Sequence, residues 1–134
     1  VTGVQTCALP IYTENVTLTF CPLELKFTFD MDDKEKAQAA KIFKGIFDNA
    51  VTTALTEKYD MVVLDEVFEA INAHMLSESE VYEFITNAPS SMEIVMTGHN
   101  PPQKFMDCAD YITEFKKIKH PYDRGITGRI GIEF

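Results

Sequence analysis

The run MVVL at Met61–Leu64 sits between Asp60 and the acidic pair Asp65-Glu66, with no polar residue inside it. Continuous rather than alternating polarity is the pattern of a strand buried on both faces, as in a parallel sheet. A second strand is expected at residues 92–97 (MEIVMT), ending at Gly98. Between the two, a short helix is expected over residues 67–74 and another after Ser77. Strands alternating with helices place the chain in the α/β class with a mostly parallel sheet.

Other segments extend this pattern. Residues 16–20 (VTLTF) and 25–29 (LKFTF) alternate as strands do, with Pro22 between them. Asp32 followed by Glu35 is a capping-box signature. The helix it opens should carry one apolar stripe through Ala39, Ala40, Phe43, Ile46, Phe47, Ala50, Val51, Ala54 and Leu55, ending near Glu57. Ser77 and Glu80 form a second box, opening a helix that buries Val81, Phe84 and Ile85 and stops at Asn87 and Pro89. Asn100-Pro101 reads as a cap followed by proline at the first helical position, with Phe105 and Ala109 one turn apart. Residues 111–115 (YITEF) and 130–134 (IGIEF) read as further strands.

Composition narrows the function classes. With 134 residues and 46% hydrophobic content, the chain has the makings of one folded domain. Its formal net charge of -9 disfavours nucleic acid as a partner. No apolar run approaches membrane-spanning length, so no membrane role is expected. Cys7, Cys21 and Cys108 have no disulfide or zinc spacing, which fits a reducing cytoplasm. Residues 1–11 (VTGVQTCALPI) carry no charge and resemble the translation of a sequencing-library adapter. They are expected to lie outside the functional domain, which is taken as residues 12–134.

Three places carry candidate chemistry. Asp65 and Glu66 close a strand, and open α/β sheets bind ligands at the carboxyl ends of their strands. Their hard oxygens suit Mg²⁺; the plain alternative is a pair that caps the next helix. Thr97-Gly98-His99-Asn100 closes the next strand, either as a ligand turn or as a strand-to-helix loop capped by Asn100. Lys119-His120-Pro121-Tyr122-Asp123-Arg124-Gly125 is a polar loop in which Lys119 and Arg124, with Arg129, either face phosphates or form a solvated patch. His74, His99 and His120 have no metal-ligand spacing.

Taken in order, YDMVVLDEVFEAINAHML, EIVMTGHNPPQKFMDCADYITEFKKIKHPYDRGI and the terminal GIEF resemble the ATP:corrinoid adenosyltransferase family of cobalamin biosynthesis. The resemblance runs from about Leu25 to Phe134. It implies a RecA-like P-loop NTPase fold in a cytoplasmic homodimer. It implies transfer of the 5′-deoxyadenosyl group of ATP to Co(I) of a reduced corrinoid, with release of triphosphate. Mg²⁺ and a flavoprotein reductant belong to the same picture.

On this resemblance Asp65 and Glu66 fall on the family's Mg²⁺-binding acidic pair. Phe27 and Phe29 fall on a stretch that is often Phe-Thr-Trp and packs at the corrin's lower face. Thr97 and Gly98 fall on a Thr-Gly-Arg in which His99 replaces the arginine. Lys119, His120, Asp123 and Arg124 match the nucleotide-side loop.

Glycine occurs at 3, 45, 98, 125, 128 and 131, and no G-x-x-x-x-G-K-[ST] arises. The Walker A strand and loop are therefore expected to be missing. Unpaired sheet edges, exposed apolar surface, incomplete folding or aggregation, and no adenosyl transfer by this polypeptide should follow. Two other readings stay open: another P-loop NTPase or nucleotide kinase, and a non-catalytic dimerising binding module.

Overall fold

A computed structural model of the protein describes residues 15–19, 21 and 30–128. Residues 1–11, the strands expected at 25–29 and 130–134, and with them Phe27, Phe29 and Arg129, lie outside the described residues.

Helix α1 spans Asp33–Thr56. The capping box forms in both directions: the Glu35 N–H donates to Asp32 Oδ1 at 2.7 Å and the Asp32 N–H to Glu35 Oε2 at 3.0 Å. The helix buries Ala39, Phe47 and Ala54 of the expected stripe, while Leu55 at its end stays exposed. Strand β1 is Met61–Leu64, α2 is Val67–Asn72, α3 is Glu78–Asn87 and β2 is Glu93–Met96. Ser77 caps α3 by accepting the Glu80 N–H. The Glu80 carboxylate reaches Lys44 of α1 at 3.0 Å, where the sequence reading gave it to the cap.

β1 and β2 pair in parallel, with Val62 opposite Ile94 and Leu64 opposite Met96. Parallel strands need a crossover, and α2 with α3 supplies it. Val62, Leu64, Ile94 and Met96 pack on a core of Phe47, Val67, Phe68, Ile71, Val81, Phe84 and Phe105. Edge-to-face contacts tie this core together: Phe47 with Phe84, Phe68 with Phe105, and Tyr82 with Phe105. Met31, Ala39 and Met75 make a second cluster between α1 and the segment after α2.

Four expectations are corrected. β1 is not buried on both faces: Met61 and Val63 are more than half exposed and Val95 beside them is exposed too. Among the described residues the sheet has two strands with helices on one side, and such a sheet buries only alternate residues. Residues 16–19 form no strand, and Val16 and Leu18 are exposed. Residues 111–115 form none either, with Tyr111 93% and Phe115 94% exposed. Strand-like composition produces a strand only where a neighbouring strand offers its hydrogen bonds, and neither segment has one among the described residues.

Finally, α4 is Gln103–Cys108, capped by Pro102 instead of Asn100. Pro102 disfavours the helical region for Pro101 before it, so the helix begins only after both prolines. Ala109, past its end, is exposed and does not join Phe105 in the core. Among the described residues no helix is long and apolar enough to cross a membrane.

Candidate functional site at the strand tips

The carboxyl ends of β1 and β2 lie side by side, because the Thr97 N–H continues the ladder to the Leu64 carbonyl at 3.1 Å. That register brings Asp65, Glu66 and Thr97 together. The Thr97 hydroxyl donates to Asp65 Oδ1 at 2.6 Å and accepts the Glu66 N–H at 2.8 Å. One hydroxyl thus fixes both acidic residues.

Glu66 sits at the N-cap position of α2 in left-handed backbone, φ 52°, and its side chain makes no cap hydrogen bond. The carboxylate is therefore not used up in capping the helix. Partial burial pushes its pKa above the ordinary carboxylate value, and the nearby Glu69 and Asp65 carboxylates push it further. Crowded negative charge of this kind favours a cation.

After Thr97 the chain turns sharply. Gly98 has φ 141°, and a Cβ there would lie 2.3 Å from Glu69 Oε2 and 2.8 Å from Phe68 Cβ. Only glycine lets the loop pass this close to α2. The loop is then held from α2 by two side chains. Glu69 Oε1 accepts the His99 N–H at 2.9 Å and also contacts His99 Nδ1. Asn72 Nδ2 donates to the carbonyls of His99 at 3.0 Å and Asn100 at 3.3 Å. The hydrogen bond to Glu69 raises the His99 pKa above the usual imidazole value.

Glu69 and Asn72 were not among the sequence candidates. Their signal was faint: Glu69 lies one helical turn after Glu66, on a segment expected to be helical. Nothing in that spacing shows that its partner is His99.

The polar loop stands by itself. Pro121–Arg124 forms a 3-10 turn capped by His120, whose Nδ1 accepts the Tyr122 N–H at 3.1 Å. Asp123 pairs with Lys117 at 2.8 Å. Lys119, His120, Asp123 and Arg124 are exposed, and among the described residues no hydrogen bond or ion pair joins them to the strand tips. Among those residues, too, no group of three or more His, Cys, Asp or Glu side chains is placed to hold a metal ion by itself.

A family model described as ATP:corrinoid adenosyltransferase BtuR/CobO/CobP matches residues 5–134. A corrinoid adenosyltransferase of Sinorhizobium sp. is 29% identical over 107 residues, 79% of this chain and 50% of that protein. One of Escherichia coli K12 is 27% identical over 108 residues, 81% of this chain and 54% of that protein. An uncharacterized protein of Nostoc sp. is 40% identical over 102 residues, 76% of this chain and 24% of that protein. The chain spans about half the length of the curated adenosyltransferases it matches.

Proposed function

The chain belongs to the ATP:corrinoid adenosyltransferase family, and from that premise we propose that its strand-tip cluster is the acidic side of an ATP site. The reaction joins C5′ of ATP to Co(I) of a corrinoid substrate. The C5′–O bond breaks, and triphosphate leaves with the electron pair of that bond. The single observation that carries this reading is the Asp65–Thr97–Glu66 link at the carboxyl ends of two parallel strands. Ligands of open α/β sheets bind at that end.

The donor set fits Mg²⁺, which binds through one or two carboxylates and takes its remaining ligands from water and phosphate. Asp65 and Glu66 would hold it, and Glu66 already carries excess negative charge around it. When bound, the ion neutralises charge on the leaving triphosphate. The protein's own part is positioning: the Thr97 hydroxyl orients Asp65, and the left-handed turn at Glu66 keeps its carboxylate off the helix end.

The same reading assigns a RecA-like P-loop sheet to the protein, and the β1–β2 pair supports it. It takes the protein as a cytoplasmic homodimer served by a flavoprotein reductant. It gives Phe27 and Phe29 to the corrin and Lys119, His120, Asp123 and Arg124 to the nucleotide side, on resemblance alone. Within these 134 residues no G-x-x-x-x-G-K-[ST] occurs. As part of the proposal, the 134-residue polypeptide transfers no adenosyl group by itself.

The test uses chemically reduced Co(I) corrinoid, ATP and Mg²⁺, with the light-sensitive adenosylated product followed by absorbance. The chain alone should give none. A chimera that joins it to the part of the E. coli relative outside the match should give product. Asp65→Asn and Glu66→Gln in that chimera should each abolish it. ATP consumption by the chimera that ignores the corrinoid would refute the reading and point to another P-loop NTPase.

A further inference from the structure

We infer that Glu69 is a positioning residue that presents His99 to the phosphates of a nucleoside triphosphate. The inference deepens the proposed ATP site and rests on that reading for the identity of the ligand.

Glu69 Oε1 accepts the backbone N–H of His99 and meets Nδ1 of the same residue, so one carboxylate oxygen fixes both the chain and the ring. Glu69 Oε2 is buried, with no hydrogen-bond partner, against Gly98. The hydrogen bond to Glu69 and its negative charge favour the protonated ring. Asn72 donates to the carbonyls of His99 and Asn100, on either side of the Asn100 Cα, and so ties this stretch of the loop to α2.

What the ring offers follows from this anchoring. With Nδ1 engaged, Nε2 is the nitrogen left for a ligand. The His99 side chain is 87% exposed, whereas Glu69 is 23% exposed. The anchor is inside and the cation is outside. The ring stands two residues beyond Thr97, whose hydroxyl holds the Asp65 carboxylate. Asp65 and Glu66 serve a cation, and an N–H donor beside them serves the anion that the cation carries. An arginine at this place would bring its own permanent charge. A histidine needs a carboxylate beneath it to stay charged, and Glu69 is that carboxylate.

The experiment is done on the chimera with the E. coli relative described above, with inorganic triphosphate and Mg²⁺ as the probe. The imidazole signals of His74, His99 and His120 are followed by NMR, with His99 assigned through His99→Gln. Triphosphate should shift the His99 Nε2 signal. Affinity should fall on the order of tenfold in His99→Gln, the loss of one charge-assisted hydrogen bond. Glu69→Gln should fall between wild type and His99→Gln, and should return the His99 titration toward its ordinary range. His99→Arg should restore wild-type affinity, which a purely structural role for the ring would not allow.

A His99 signal that ignores triphosphate, or equal affinity in wild type and His99→Gln, overturns the inference. Failure of the adenosyltransferase reading has a different signature. It shows as ATP consumption that ignores the corrinoid, with the triphosphate titration unchanged.

Discussion

Replacing Gly98 by alanine tests the tightest contact at the site. The added Cβ would stand 2.3 Å from Glu69 Oε2, 2.8 Å from Phe68 Cβ and 3.1 Å from the Phe68 backbone nitrogen. Neither neighbour is free to yield: Phe68 is buried in the core, and Glu69 is held by His99. The backbone at φ 141° adds strain for any L side chain. Strain of this kind costs about 1–3 kcal/mol, and forcing a methyl group into packed surroundings about 1–3 more. The sum, about 2–6 kcal/mol, is a large share of a domain's typical ~5–15 kcal/mol.

Two other glycines serve as controls. Gly125, at φ 75° with nothing within 4 Å, carries backbone strain without a clash. Gly45, inside α1 with nothing within 4 Å, carries neither. Gly125→Ala should cost about 1 kcal/mol, and Gly45→Ala should gain about 0.5–1 kcal/mol. Urea unfolding followed by circular dichroism should rank the midpoints Gly45→Ala, wild type, Gly125→Ala, Gly98→Ala from highest to lowest. A Gly98→Ala midpoint equal to or above that of Gly125→Ala would show that the close approach to α2 is not what fixes this loop.

Asp32→Ala removes the carboxylate that accepts the Glu35 N–H in the capping box and should lower stability by about 1 kcal/mol in the same assay. Val81 is fully buried, and Val81→Ala should cost about 2 kcal/mol from lost burial and the cavity left behind; a thermal midpoint unchanged from wild type would contradict its place in the core. Glu66→Gln should raise stability at neutral pH. Partial burial and the neighbouring carboxylates hold the folded-state pKa of Glu66 above the ordinary carboxylate value, so ionising it opposes folding. That penalty is absent below the unfolded value, grows as pH rises through it, and is complete above the folded value. The gain from Glu66→Gln should therefore vanish below about pH 4; an equal gain on both sides would refute the electrostatic account.

Short-range signals in the amino-acid order set much of this protein. The reciprocal box of Asp32 and Glu35 and the spacing of Ala39, Phe47 and Ala54 mark α1 almost to its last residue. Apolar runs marked β1 and β2, and the residues just past them marked the tips where Asp65, Glu66 and Thr97 meet. These features are legible because caps and periodicities act within a turn or two of chain.

Tertiary structure decided the rest. Met61 and Val63 are as apolar as Val62 and Leu64, yet among the described residues the helices pack on the face that carries the second two and leave the first two exposed. Residues 16–19 alternate as many strands do and residues 111–115 are rich in β-forming side chains, yet neither finds a ladder among the described residues. The Glu69–His99 contact joins residues far apart in sequence, through a loop that Gly98 lets pass close to α2. No local pattern encodes such a meeting, because it exists only after β1 and β2 have aligned in register.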